Sequence, residues 1–335
     1  MSLRFWQRIR LAPGVTLNLS KSTASLSFGP RGAQYTISPR GSRATLGLPG
    51  TGLFYTVHNP GGRASRGVPK KDRLSLGFFQ RLMTPTDERH FVDGLRTLNA
   101  GDDDTALAAF EAAPDLPDAA WMAGMIRLRR EDFAQARTHF SRALAGLSTL
   151  GTLFEKYEIA AQVGLPIADG IYAHILPRDR GTRLALVEIA QATADRAGAM
   201  AHLDRLIVLD ATDPVVVLSF VELACDAPGD RALMSRVVAL SAQTANETPI
   251  DTAILMYRAR ALVALGLPDA ATEVLTVALR RRKDRPEALM HQIRHDRAML
   301  YAQAGRAAQA RREFEKLFAE APDFPGLTAQ LGLSA

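Results

Sequence analysis

The sequence predicts a multidomain α and β fold: a small N-terminal antiparallel β-meander domain followed by an all-α helical-repeat solenoid. Three observations carry that expectation. Residues 1–58 alternate apolar and polar side chains with a period of two, residues 59–83 are basic and rich in Gly and Pro, and from residue 84 onward the periodicity is that of helices. With 335 residues the chain is too long for one small core and suits two domains or an array. A hydrophobic content of 47% beside 23% charged residues is that of a folded protein rather than a disordered one.

The strands come first. Val15, Leu17 and Leu19, then Ala24, Leu26 and Phe28, Ala33, Tyr35 and Ile37, Ala44, Leu46 and Leu48, and Leu53, Tyr55 and Val57 form successive alternating runs. Each run places its apolar side chains on one face. The breaks at Gly29-Pro30-Arg31-Gly32, Ser38-Pro39-Arg40-Gly41 and Pro49-Gly50-Thr51-Gly52 are turn chemistry, because proline presets φ and glycine tolerates positive values. Connections this short join only antiparallel neighbours. A meander that curls or pairs to hide its apolar side is the expectation.

These same residues carry a resemblance. Ser2-Leu3-Arg4-Phe5, Pro13-Gly14, the run from Leu17 to Ser22, Gly29-Pro30-Arg31-Gly32 and Pro49-Gly50-Thr51-Gly52-Leu53 resemble a bacterial family of domains of unknown function, number 4236. The likeness covers about residues 2–57 and departs at Phe54, where members more often carry a small polar residue. It implies a small N-terminal β domain and no activity.

Charge is distributed unevenly. Residues 1–73 hold twelve bases against Asp72 alone, a net +11, while the rest of the chain holds 29 bases and 34 acids, a net −5. A basic head can meet an anionic partner, or simply the acidic body. Arg4, Arg8, Arg10, Arg31, Arg40 and Arg43 are the candidate anion contacts, and Trp6 and Phe54 could stack on single-stranded nucleic acid. The bland reading of the same residues is aromatic packing under a solubilising polar face. Residues 59–73 read as an exposed tether, and Leu74 to Met83 as a docking segment.

The helical part is organised around Trp121 to Leu144, two helical patterns separated by Arg130-Glu131-Asp132. Gly94, Ala106, Phe110 and Ala113 recur as Gly124, Ala136, Phe140 and Ala143, each 30 residues on. Gly266, Ala271, Leu275 and Ala278 recur as Gly305, Ala310, Phe314 and Leu317 at an offset of 39. Neither helix of such a unit buries its apolar face alone, so units must stack. The pattern resembles the tetratricopeptide repeat over about 87–145 and 252–322. It weakens between them, where Ala194 stands at the position of an early glycine, and 147–180 departs most.

By that resemblance the first helix of each pair lines a concave face, and its groove positions are Phe91, Trp121, Met125, Arg129, Met256, Arg260, His295 and Met299. Met and Trp there suit adaptable apolar contact, with arginine gripping carboxylates. The rival reading places Trp121 and the methionines in the core.

Reactive constellations are scarce. His291 and His295 share a helix face, but no third ligand accompanies them, so no metal is expected. Cys225 has no histidine near it in sequence and reads as a buried thiol. The basic run Arg280 to Arg285 falls where a helix C-terminus should end, which cations favour. There is no phosphate loop, dinucleotide fingerprint or serine elbow in the sequence. No catalytic residue and no cofactor is expected.

The functional expectation is therefore a non-catalytic interaction scaffold, its helices binding a protein or peptide partner and its β domain docking, oligomerising or recruiting. Nucleic-acid binding through the basic head is the alternative. One cysteine, no signal-like apolar core and no apolar run of spanning length lead to the expectation of a cytoplasmic protein.

Overall fold

The structure is a computed structural model. It describes the strand backbones at 15–20, 23–28, 33–38, 41–47 and 54–59, residues 83–157 and 159, the strand backbones at 163–168 and 171–175, and residues 175–333. The chain divides into two compact units, with the boundary between His202 and Leu203.

In the first unit the strands β1 (Val15–Ser20), β2 (Thr23–Phe28), β3 (Ala33–Ser38), β4 (Gly41–Gly47) and β5 (Phe54–Asn59) run antiparallel to their chain neighbours. Of residues 1–82 only this backbone pairing is described. The fold class is corrected to a predominantly helical repeat array, the expected β-meander domain being unsupported beyond its strand pairing. The physical reason lies in what a period of two encodes. It favours an extended backbone and neighbouring strands, but one layer of six- and seven-residue strands hides its apolar side only against a second layer, which alternation does not specify.

The helical part of the first unit contains α1 (Thr86–Asn99), α2 (Asp103–Glu111), α3 (Pro117–Arg129) and α4 (Phe133–Ala145). A short α5 (Thr152–Lys156) follows, then β6 (Val163–Ala168) and β7 (Ile171–Ile175), an antiparallel hairpin irregular between Pro166 and Ala168. This hairpin corrects the all-α expectation for 84–335. Pro166 cannot donate the i→i−4 bond of a helix interior, and the glycines at 164 and 170 disfavour a continued helix, so the segment pairs as strands instead. After it α6 (Asp179–Ala192) packs directly on α4, so residues 147–178 form an insertion. The pair closes with α7 (Arg196–Leu209), which crosses the unit boundary.

The second unit adds α8 (Pro214–Cys225), α9 (Arg231–Leu240), α10 (Pro249–Ala264), α11 (Pro268–Ala278), α12 (Glu287–Gln303), α13 (Ala307–Glu320) and a short α14 (Leu327–Leu331). Helix starts follow local chemistry. Proline occupies the first turn of α3, α8, α10 and α11. Asp102, Asp132, Asp213 and Asp230 cap by accepting backbone N–H groups, and Thr248 with Asp251 forms a capping box.

Five helix pairs share one register. Gly101, Glu131, Ala194, Gly266 and Gly305 all lie in the left-handed region, with φ between 56° and 85°, two residues after the first helix and two before the second. Five, nine and twelve residues after each comes a buried seam: Ala106, Phe110, Ala113; Ala136, Phe140, Ala143; Ala199, Leu203, Leu206; Ala271, Leu275, Ala278; and Ala310, Phe314, Leu317. The middle pair that the sequence pattern only sketches thus keeps the frame, with alanine forced into the glycine conformation. The α8–α9 pair turns without a left-handed residue.

The repeat glycines fall into two kinds. Gly266 and Gly305 are turn residues, whereas Gly94 and Gly124 lie inside first helices, against a ring of the second. A Cβ on Gly94 would stand 2.7 Å from the Phe110 ring, and one on Gly124 would stand 3.0 Å from Phe140. At the equivalent positions further on stand Ala259 with Leu275 and Ala298 with Phe314, all buried. A smaller second-helix residue accompanies a larger first-helix one in the α10–α11 pair.

Two outcomes follow. Gly94→Ala should destabilise the protein by about 1–2 kcal/mol, because overpacking outweighs the ordinary helix gain of alanine. Adding Phe110→Leu should recover part of the loss, measured as the urea midpoint. Ala194→Gly should instead raise stability by roughly 0.5–1 kcal/mol, since it relieves the left-handed strain.

Candidate functional site

The groove positions assigned by resemblance divide sharply. Phe91, Trp121 and Met256 are 0% exposed and belong to the core. Met125, Arg129, Arg260, His295 and Met299 are half-buried.

On α1 and α3 the burial has a specific cause. Phe154 of α5 stands edge-on to Phe91, with centroids 5.3 Å apart and planes at 86°, and edge-on to Trp121 at 6.0 Å and 84°. Such pairs add about 0.5–1.5 kcal/mol each beyond the area they bury. The carboxylate of Asp118 accepts the Gly151 and Leu153 backbone N–H groups, the second at 2.7 Å. Burial pushes the Asp118 carboxyl above its ordinary value, against the pull of those amides. Glu88 accepts from the Lys156 ammonium and the Tyr157 hydroxyl. The face assigned to a partner is thus covered by residues 151–157 of the same chain. Arg129 is committed as well, ion-paired with Asp103.

Behind this face the Glu111 carboxylate takes the Arg127 Nε and Nη2 donors at 3.1 and 2.8 Å and lies 3.1 Å from His139 Nε2. Burial holds the His139 imidazole below its usual pKa although Glu111 favours its charged form. The network ties α2, α3 and α4 together. Sequence spacing offered no signal for it, since its members come from three helices.

In the second unit, α10 and α12 bring together Arg260, His295 and Asp296. Arg260 Nε lies 2.9 Å from Asp296 Oδ2, and its guanidinium sits 5.4 Å from the Tyr257 ring centroid. Gln292 also donates to Asp296, and His295 Nδ1 is 3.7 Å from it. Burial alone would raise the Asp296 carboxyl, but the His295 ring, the Arg260 charge and the Gln292 amide outweigh it and hold it below the ordinary range. The His295 ring stacks obliquely on Phe324 at 5.1 Å and Phe314 at 5.9 Å, and Met299 packs on the same cluster. Asp296, Gln292 and Tyr257 were missed in the sequence, because their roles depend on how α10 meets α12.

The remaining candidates have structural partners. His291 Nε2 is 3.5 Å from Glu320, which also pairs with the buried Arg294. Cys225 donates its S–H to the Tyr257 carbonyl oxygen at 3.6 Å, and burial pushes its thiol up to about 12. Arg281 and Arg285 of the basic run donate to the Asn246 carbonyl oxygen at 3.1 and 3.3 Å. Asn246 in turn donates to the last carbonyls of α11. Among the described residues no group of three His, Cys, Asp or Glu side chains could hold a metal ion, and no helix is long and apolar enough to cross a membrane. Arg4, Arg8, Arg10, Arg31 and Arg40 lie outside the described residues, as do the tether and docking segment up to residue 82. Arg43 is placed by its backbone in β4 only.

The recurring left-handed turn and the buried seam define the class, a helical-repeat array whose helix pairs resemble tetratricopeptide repeats. Residues 3–56 match the family described as "Protein of unknown function (DUF4236)". No curated protein matches the chain. Among solved structures it is similar to the N-terminal domain of the EccA1 ATPase from the ESX-1 secretion system of Mycobacterium tuberculosis, with 19% identity over 75% of this chain and 90% of that one and a TM-score of 0.48. It is also similar to a thermophilic TPR protein of Thermus thermophilus, TTC0263 (17% identity, 73% of this chain and 97% of that one, TM-score 0.23). A tetratricopeptide repeat protein from Parabacteroides merdae is a further likeness (13% identity, 74% and 98%, TM-score 0.32).

An acid transition checks the charge pairs of α12. The hydrogen bond from Arg294 holds Glu320 below its ordinary value, opposed by partial burial, and Asp296 is lowered as described. A depressed carboxyl stabilises the fold above its unfolded pKa, about 3.9 for Asp and 4.3 for Glu, and that contribution is lost as pH falls through the lower folded value. Thermal stability should therefore fall steeply below about pH 4, and Asp296→Asn should flatten that limb while lowering the neutral plateau.

Proposed function

We propose that the protein is a non-catalytic interaction scaffold whose helical array holds a segment of a protein partner. The observation that carries this reading is the face of α10 and α12, where Arg260, Asp296, His295 and Met299 join a charge pair to an adaptable apolar side chain. Arg260 keeps about a third of its side chain exposed beside Asp296, so a partner carboxylate can share its guanidinium. Met299 and the His295 ring offer the apolar anchor next to it. The basic N-terminal segment, carrying the DUF4236 match, then docks, oligomerises or recruits.

Peptide-display selection against the full chain should return segments combining a carboxylate with an apolar residue. Their affinity should fall at least tenfold in Arg260→Gln and in Met299→Glu, with the helical circular dichroism unchanged. Selected peptides indifferent to both substitutions would overturn the assignment of this face.

A further inference from the structure

The connection from α11 to α12 holds its guanidinium groups differently from the rest of the second unit. Arg236, Arg260, Arg294, Arg297 and Arg311 each meet a carboxylate. Arg281 and Arg285 meet a neutral oxygen instead. Arg281 Nη1 and Arg285 Nη2 both donate to the Asn246 backbone carbonyl oxygen, at 3.1 and 3.3 Å, and Arg285 Nε donates to Thr252 Oγ1 at 2.6 Å. The backbone fixes this convergence from two sides. Asp284 takes the left-handed conformation at φ 60°, and the Arg285 N–H donates to the Arg282 carbonyl oxygen at 3.3 Å. Opposite, the Asn246 side-chain amide is pinned to the Val277 and Ala278 carbonyl oxygens at 2.9 and 3.0 Å. Asp251 and Asp284 lie close enough to favour the Arg285 charge, but burial and the Arg281 guanidinium outweigh them and pull that group below its ordinary value. Asp251 spends its carboxylate on the Glu247 and Thr248 N–H groups, at 3.1 and 2.8 Å. Two like charges thus share one neutral acceptor, with Arg281 exposed and Arg285 half-buried.

We propose that Arg281 and Arg285 form a binding site for a phosphate monoester. A guanidinium has five N–H donors in a planar fork, and Arg281 spends one of them on Asn246. A phosphate group brings about −1.5 to −2 charges and three acceptor oxygens, so one such group can take donors from both arginines and offset their mutual repulsion. A carboxylate, with one charge and two oxygens, matches a single guanidinium. A nucleic-acid strand suits the place less well. None of the large apolar side chains exposed among the described residues is aromatic, so bases would find no stacking platform. The site lies at the turn between two helix pairs and does not depend on the reading of the Arg260 face.

The probes are inorganic phosphate and a capped alanine pentapeptide with phosphoserine at its centre, each titrated calorimetrically into the full chain at low salt. Wild type should bind at least one of them saturably and should not bind the unphosphorylated peptide. Tighter binding of the phosphopeptide assigns the site to a phosphorylated side chain, and tighter or equal binding of inorganic phosphate assigns it to a free phosphate compound. Arg281→Gln should weaken binding at least tenfold with the helical circular dichroism unchanged, since the side chain is exposed. Lys283→Gln removes an equal charge from the same run and should change affinity less than twofold. If Arg281→Gln does not fold, Arg281→Lys replaces it. That variant keeps the charge and loses the fork, so binding at least threefold weaker is expected and unchanged affinity overturns the proposal. Saturable binding of neither probe overturns it, as do equal losses in Arg281→Gln and Lys283→Gln, which would mean diffuse attraction to the run. A uridine decamer that binds more tightly than both probes and weakens evenly across the variants also overturns it, in favour of nucleic acid.

Discussion

The structure depends on how closely the two helices of each pair approach. At Gly94 and Gly124 the approach is so close that a methyl group would press into a phenyl ring. That contact sets the interaxial distance, which in turn decides where the outer faces lie and which side chains reach the next pair. The left-handed residue of the connecting turn enforces the same geometry from the other end. At Glu131 and Ala194 the chain accepts a conformation costing about 1–2 kcal/mol to keep the frame. Residues tolerate such strain only when the surrounding packing over-determines it.

Charge is arranged around this frame in two ways. Between first and second helices it forms closed networks, as where Arg127 of α3 and His139 of α4 converge on Glu111 of α2. Elsewhere on the first helices it is directed outward from the seam, toward α5 in the first unit and around Arg260 in the second. Closed networks rigidify a stack. Outward acids and bases hold a segment laid across it, whether that segment belongs to the same chain or to another.

The insertion at 147–178 shows how a repeat array acquires individuality. The stack continues past it from α4 to α6, so the register is undisturbed. Arg137 secures that junction by donating to Asp195 at 2.9 Å and to Thr193 at 2.8 Å. The inserted residues are then free to return to α1 and α3. The aromatic cluster they complete accounts for the burial of Phe91 and Trp121, which a bare array would leave open.

By itself the sequence determined the helix pairs, turns and seam over about 87–145 and 252–322, and only sketched the pairs between them. Those features are local: a period of 3.6, an aspartate or proline at a helix start and a fixed count from turn to phenylalanine act within some thirty residues. It overreached at the N-terminus, where alternation specifies an extended backbone but not the layer that would cover it. It also placed Phe91, Trp121 and Met256 in a groove, because helix position alone does not say what lies opposite. Only the tertiary structure decided that Phe154 fills the corner between two first helices, that Arg260 meets Asp296, and that Glu88 and Asp118 are satisfied from residues 151–157. Each of those contacts closes a loop between elements distant in the chain, and its energy depends on packing that no local pattern encodes.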